Sequence, residues 1–292
     1  MGFSDTFIVD IGTSHTRIAK VGCGLLMREP TVAAVSKNGD NKVLAAGKNA
    51  VLLYNRFPDG VIMKSPFKGD KITDGSLLCE TVKKLFEGSN ERFKRGASRR
   101  VLLPVRYGVD NLCKKQIMNA MQFAMSGSVT CISSIFCSAY GSLAYEKSQT
   151  GGTLIMDMGV KRTSVAIICF GKVCTEAEVT WGAGDINAFL LRNENKFTRE
   201  RALEIALKPI INMLEELFIA TSPELVGDII RNGIYITGGG GKIMLLKNVL
   251  SKTLNVGVYT DEAGSDAVVF GALKMNGNEI KSNVQKERAI SM

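Results

Sequence analysis

The feature that most constrains this chain is a duplication. "FIVDIGTSHTRIAKVG" at Phe7–Gly22 and "LIMDMGVKRTSVAIICFG" at Leu154–Gly171 follow one plan: an apolar run reaches an Asp, then x-Gly, then a polar turn, then a second apolar run. Short apolar runs bounded by such turns read as strand, tight turn, strand. A hairpin with an Asp at the end of its first strand, once per half, is an internal repeat at the scale of a domain. It predicts two similar α/β lobes facing each other, with a ligand in the cleft between them. The copies differ inside the turn. The first keeps Gly12, Thr13 and Ser14 after its Asp, whereas the second follows Gly159 with Val160, Lys161 and Arg162.

The rest of the chain repeats in the same order. After the first hairpin, "PTVAAVS" and "KVLAAG" are strand candidates, and Asp74–Glu87 has helical spacing with Leu77, Leu78, Val82 and Leu85 on one side. "RRVLLPV" at Arg99–Val105 is a further strand, and helical spacing resumes over Asp110–Met125. In the second half, "KVCTEAEVTWG" continues the sheet and Thr198–Ala220 is a long helix, expected to kink near Pro209. Ser222-Pro223 opens another helix that Gly233 closes. "GIYITGGGG" then reads as a buried strand running into a glycine loop, followed by a helix over Lys242–Leu254. The boundary falls near Glu146–Gly152, which gives domains of 1–147, with a small insertion at about 31–74, and 148–292. A polar tail, 276–292, is expected to fray.

Composition narrows the function classes. With 292 residues the chain can build two cores, and 45% apolar against 22% charged residues is a soluble balance. No apolar run approaches the roughly 20 residues that a membrane-spanning helix needs. The beginning of the sequence carries no signal pattern, and the expected location is the cytoplasm, with membrane association left open. Seven scattered cysteines without a CxxC pair read as small buried hydrophobes in a reducing compartment. The net charge of +9 is partly gathered in Arg92, Lys94, Arg95, Arg99 and Arg100, read as a surface loop. No aromatics interleave with these charges, so nucleic acid is not an expected partner; an anionic membrane surface is the alternative to a merely solvated loop.

Three loops carry chemistry. Asp10-Ile11-Gly12-Thr13-Ser14 combines a Gly that lets backbone N–H groups approach closely, hydroxyl donors, and an Asp able to hold Mg²⁺ through water. Asp157 and Gly159 repeat it. Gly238, Gly239, Gly240 and Gly241 follow Thr237, between a buried strand and a helix, and remove every side chain between backbone and a ligand. Together the three loops point to a bound nucleotide.

At this point the sequence resembles the MreB-type bacterial actins and, more broadly, the superfamily of actins, sugar kinases and heat-shock chaperones. "VDIGTSHT" looks like the first phosphate loop, "REPTVAAV" the following strand, and "PFKGDKITD" the Pro-x-Lys-Asp-Gly-x-Ile-x-Asp segment. "VLLPV" looks like the strand before the interdomain helix, "LIMDMG" the second phosphate loop, and "SPELVGDIIRNGIYITGGGGKIMLL" the adenosine-side segment. The resemblance implies an actin-like two-lobed fold, with duplicated ribonuclease-H-like domains around a central nucleotide cleft. It implies ATP and Mg²⁺ as ligands, with Asp10, Gly12, Thr13, Ser14, His15, Asp157, Gly159, Lys161, Arg162, Thr163 and Gly238–Gly241 at the nucleotide, and Asp10 and Asp157 at the metal.

Four departures qualify that inheritance. The second loop should read Asp-x-Gly-Gly-Gly-Thr, but Val160, Lys161 and Arg162 replace its last three residues; the basic pair can either meet phosphate as charge-assisted donors or stand solvated at a decayed site. His15 stands where many MreB loops have Asn. The family's water-orienting Glu, in Glu-Pro-x-Ala-Ala-Ala-x-Gly, is matched by Ser134 in Ser134–Gly141, so no catalytic residue is assigned and ATPase activity, implied by resemblance, is left open. The subdomain usually called IIB, with its Glu-Arg-x-x-Ala-Glu segment, is missing or reduced to Phe189–Phe197. The implied function is a cytoskeletal protein of cell shape, polymerising with itself or with other bacterial actin subunits in open head-to-tail contacts. The alternative is a non-hydrolysing pseudo-actin that serves as an adaptor or scaffold.

Overall fold

A computed structural model describes residues 5–38, 41–69, 71–89, 99–106 and 108–275. The tail at 276–292 expected to fray, and Arg92, Lys94 and Arg95 of the basic segment, lie outside the described residues. The two quoted stretches do form hairpins, each at the centre of its own sheet. Packing divides the chain into two units, Met1–Ile132 and Ser133–Met292.

In the first unit, β1 (Asp5–Ile11) and β2 (His15–Lys20) make the hairpin and β3 (Gly24–Pro30) extends it. A small separate layer follows: β4 (Ala33–Ser36), β5 (Val43–Ala46), helix α1 (Gly47–Arg56) and β6 (Val61–Lys64), with the sheet order β5-β4-β6. The two-residue strands β7 (Phe67–Lys68) and β8 (Lys71–Ile72) lead to α2 (Gly75–Glu87), β9 (Arg99–Val105), α3 (Asn111–Met125) and β10 (Ser128–Ser133). The main sheet has the order β10-β9-β1-β2-β3, with β9 parallel to β1.

α2 and α3 start where short polar side chains can satisfy the free amides of a first turn. Asp74 accepts from the Leu77 amide, and Asp110 from the Cys113 amide, each at 2.8 Å. Their apolar faces cover the sheet: Leu78, Val82, Leu85, Phe86 and Met121 pack with Phe7, Val9 and Val101, and Phe7 meets Phe86 edge-on at 5.1 Å. Arg99 and Arg100 begin strand β9 instead of belonging to a loop, and the Arg99 guanidinium donates to the Met125 carbonyl.

The second unit opens with the short helices α4 (Ser134–Tyr140) and α5 (Leu143–Lys147). β11 (Thr153–Met158), β12 (Thr163–Cys169) and β13 (Lys172–Val179) follow, then α6 (Ala183–Arg192), α7 (Arg199–Ile219), α8 (Pro223–Asn232), β14 (Ile234–Thr237), α9 (Leu246–Leu254), β15 (Val258–Thr260) and α10 (Ala267–Lys274). The sheet order β13-β12-β11-β14-β15, with β14 parallel to β11, mirrors the first unit. β11 is covered on both faces, which is why it reads as a continuous apolar run. Leu154 and Met156 face the cluster of Leu203, Leu207, Ile210 and Leu214 from α7, while Ile155 packs with Ile135, Ala139 and Ala144.

That last contact draws α4 and α5 into the second unit, ahead of the boundary at residue 147 expected from the repeat. α4 meets α10 at backbone distance: a Cβ on Gly271 would lie 1.7 Å from the Cys137 carbonyl oxygen, and one on Gly141 2.0 Å from that of Ala267. α7 runs as one helix through Pro209, and the Trp181 indole donates to the Ala206 carbonyl on the neighbouring turn. The glycine loop does not run straight into a helix from Lys242. A 3-10 turn at Gly239–Lys242 and Leu245, in the left-handed region with φ +67°, come first, and α9 starts at Leu246.

Candidate functional site: two hairpin turns and a glycine loop

The first turn is closed by Gly12, whose amide donates to the His15 carbonyl at 3.0 Å. A Cβ at Gly12 would stand 2.8 Å from that oxygen, so only glycine closes it this tightly. The turn is braced from beyond β3. The Thr31 hydroxyl donates to the Gly12 carbonyl at 2.7 Å and shares a bond with the buried Thr16 hydroxyl at 3.0 Å, while the Thr31 amide donates to the Ser14 carbonyl. Ser14 Oγ and His15 Nδ1 are bonded at 2.8 Å. Among the described residues, the Thr13 and Ser14 amides and the Thr13 hydroxyl make no hydrogen bond to the protein. They are the groups of this turn that can receive a ligand's oxygens.

The charges of the first turn are settled internally. Asp10 lies opposite Arg17 in the hairpin register, and the guanidinium meets its carboxylate at 3.3 Å with both side chains largely buried. Burial pushes the Asp10 carboxyl up from its ordinary value, and Arg17 opposes that shift. The His15 imidazole is held below its usual range, first by burial and then by Arg17 and Arg28, so it is neutral at physiological pH.

The second turn repeats this backbone with other side chains. The Gly159 amide donates to the Arg162 carbonyl at 2.9 Å, and Met158 pairs with Thr163 as Ile11 pairs with Thr16. Thr163, expected at the ligand, is instead fully buried and donates its hydroxyl to the Trp181 carbonyl at 2.8 Å. Lys161 and Arg162 are both engaged by carboxylates of the protein, although the Lys161 side chain remains 43% exposed. Lys161 Nζ meets Asp185 at the start of α6 at 2.7 Å, and Arg162 pairs with Glu178 on β13. The turn sits against Gly182, where a Cβ would lie 2.5 Å from the Gly159 oxygen, and the Ala183 and Gly184 amides donate to the Gly159 and Val160 carbonyls. Among the described residues, the Val160 and Lys161 amides make no hydrogen bond to the protein, as in the first turn.

The glycine loop divides by cause. Gly238, at φ +77°, would bring a Cβ to 2.4 Å from the Met158 oxygen, and Gly240 one to 2.1 Å from the Met158 sulfur. The protein's own packing requires both. Gly239 is exposed and a Cβ there would meet nothing within 4 Å, and one on Gly241 would have only ordinary contacts, the nearest at 3.6 Å.

Magnesium fits these acids poorly. Asp10 is occupied by Arg17, Asp157 accepts from the Thr237 hydroxyl at 3.4 Å, and Thr237 is itself bonded to Ser138 at 2.7 Å. No cluster of three or more His, Cys, Asp or Glu side chains is placed to hold a metal among the described residues. Each turn, taken by itself, offers a pair of backbone amides with no protein partner among the described residues, a feature suited to anionic oxygens.

The MreB/Mbl protein family model matches residues 4–193 and 192–284, so the match breaks where α6 ends. The cell shape-determining protein Mbl of Bacillus subtilis is 24% identical over 321 aligned positions, more than the 292 residues of this chain, covering 92% of it and 95% of the relative. MreB5 of Spiroplasma citri, solved bound to ADP, superposes with a TM-score of 0.80 at 20% identity, covering 97% of this chain and 98% of that one. The MamK double helical filament gives 0.69 at 14% identity, covering 92% and 98%. The fold is therefore actin-like. Asn193–Thr198 connect α6 to α7. The chain belongs to the MreB/Mbl family.

Proposed function

We propose that the protein is a cytoskeletal actin of the cell-shape machinery that binds an adenine nucleotide, polymerises and does not hydrolyse what it binds. The observation that supports this most is that the second turn keeps the backbone of the first although its side chains have changed. The Thr13, Ser14, Val160 and Lys161 amides would receive phosphate oxygens, and Gly239 would leave room on the adenosine side. MreB5 has been solved with ADP and MamK as a filament, which supports nucleotide binding and self-association as properties of such folds.

Loss of hydrolysis follows from Ser134. A hydroxyl cannot carry the charge that orients and polarises an attacking water, a contribution typically worth about 10²–10⁴-fold. Cytoplasmic location, and attachment to an anionic membrane through Arg92, Lys94 and Arg95, belong to the same proposal. A second reading, an adaptor that binds partners without polymerising, is favoured by the direct connection of α6 to α7. The test combines pelleting and electron microscopy with phosphate release. ATP-dependent filaments without phosphate release are expected. Rapid release would overturn the loss of hydrolysis, and nucleotide-bound monomers at every concentration would favour the adaptor.

A further inference from the structure

We propose that Arg17 takes the place of the divalent cation at this nucleotide site, so that the protein binds the nucleotide without requiring magnesium. This rests on the nucleotide reading above and goes further by assigning the metal requirement of binding.

In each hairpin the residue facing the turn's Asp is fixed by strand pairing: Arg17 faces Asp10, and Ser164 faces Asp157. Ser164 is the uncharged version of the position. Arg17 is a permanent cation placed one side chain away from the acid that would hold a hydrated metal. Its side chain is 12% exposed and that of Asp10 17%, so water screens the pair only weakly.

A magnesium ion held through water needs the carboxylate as its negative partner and keeps most of its hydration shell. Here that carboxylate already accepts a guanidinium hydrogen bond at 3.3 Å, and a divalent ion would be brought against a fixed positive charge. The guanidinium, with several N–H donors, neutralises the acid and favours nearby anionic oxygen without any metal. Arg17 is thus a specificity-determining residue, acting on the charge of the site.

The experiment is calorimetric titration of ADP and ATP into nucleotide-stripped protein, in EDTA and in excess Mg²⁺. Equal affinity in both is expected. Arg17→Ser, which copies the second hairpin, should bind about tenfold more weakly in EDTA than in Mg²⁺, and Arg17→Lys should stay metal-independent. Wild-type binding that needs Mg²⁺, or an Arg17→Ser variant that remains indifferent to it, would overturn the inference while leaving the nucleotide site standing. Absence of binding by wild type in both buffers would sink the nucleotide reading and this inference with it.

Discussion

The two hairpin turns share a backbone and differ in how they are held. The first is braced by a neutral hydroxyl ladder, Thr31 to Gly12 and Thr16, with one ion pair at Asp10. The second is pinned by two ion pairs, to Asp185 and Glu178, and by glycines pressed against it from Gly182–Gly184. One turn backbone, with the same two amides left without protein partners among the described residues, thus accepts Thr and Ser in one copy and Val and Lys in the other. What the replaced residues demanded was new carboxylate partners, and β13 and α6 supply them.

The largest expected effect comes from attacking the second turn through its support. Gly182→Val would place side-chain atoms where a Cβ already sits 2.5 Å from the Gly159 oxygen and 2.7 Å from the Arg162 nitrogen. Overpacking of this kind against backbone should cost roughly 3 kcal/mol or more, read as a lowered denaturant midpoint. The matching attack on the first turn, Thr31→Val, strands the buried Thr16 hydroxyl and the Gly12 carbonyl, and should cost about 1–3 kcal/mol. If Thr31→Val proved the more damaging, the contrast between the turns would be reversed.

A third change sharpens the comparison at the level of binding. Restoring Val160-Lys161-Arg162 to Gly-Gly-Thr removes both cations but leaves Asp185 and Glu178 behind. Nucleotide affinity should fall, by about tenfold for each kilocalorie and a half of added repulsion, and should recover when Asp185→Asn and Glu178→Gln are added. A rise on restoration alone would mean that the basic residues merely block the loop.

The smallest effect concerns His15, the sole histidine of the sequence, whose imidazole gives one unambiguous NMR signal. Its titration midpoint should lie below the ordinary 6.5, because burial and Arg17 disfavour the charged ring. The sign for stability follows. As pH falls below 6.5 the unfolded chain takes up the proton first, so stability declines across that window and levels off once the folded imidazole is also protonated. A midpoint above 6.5 would place a carboxylate, not Arg17, in control of the ring.

Much of this was legible in the sequence because it depends on local pattern. The strand–turn–strand plan around Asp10 and Asp157 follows from the repeated apolar runs and their turns, and the helix starts at Asp74, Asp110, Thr198 and Ser222 follow from capping chemistry. The partners of Lys161 and Arg162 were not legible, since Asp185 and Glu178 reach them only after β13 and α6 have packed. Thr163, just past the second loop, was expected at the ligand, yet it lies on the buried side of the strand and its hydroxyl donates to the Trp181 carbonyl. The glycine loop looked uniform as text. Packing separates Gly238 and Gly240, which the fold itself needs, from Gly239, which it does not.

That separation gives the most direct test of the central claim, that the turns and the glycine loop still form a nucleotide site. ATP is titrated calorimetrically into wild type and Gly239→Val, with melting temperatures measured alongside. The account expects micromolar binding by wild type, equivalent to about 8 kcal/mol, and loss of binding by the variant at an unchanged melting temperature. Equal affinity in the two proteins would remove Gly239 from the site, and no binding by wild type at millimolar ATP would contradict the claim outright.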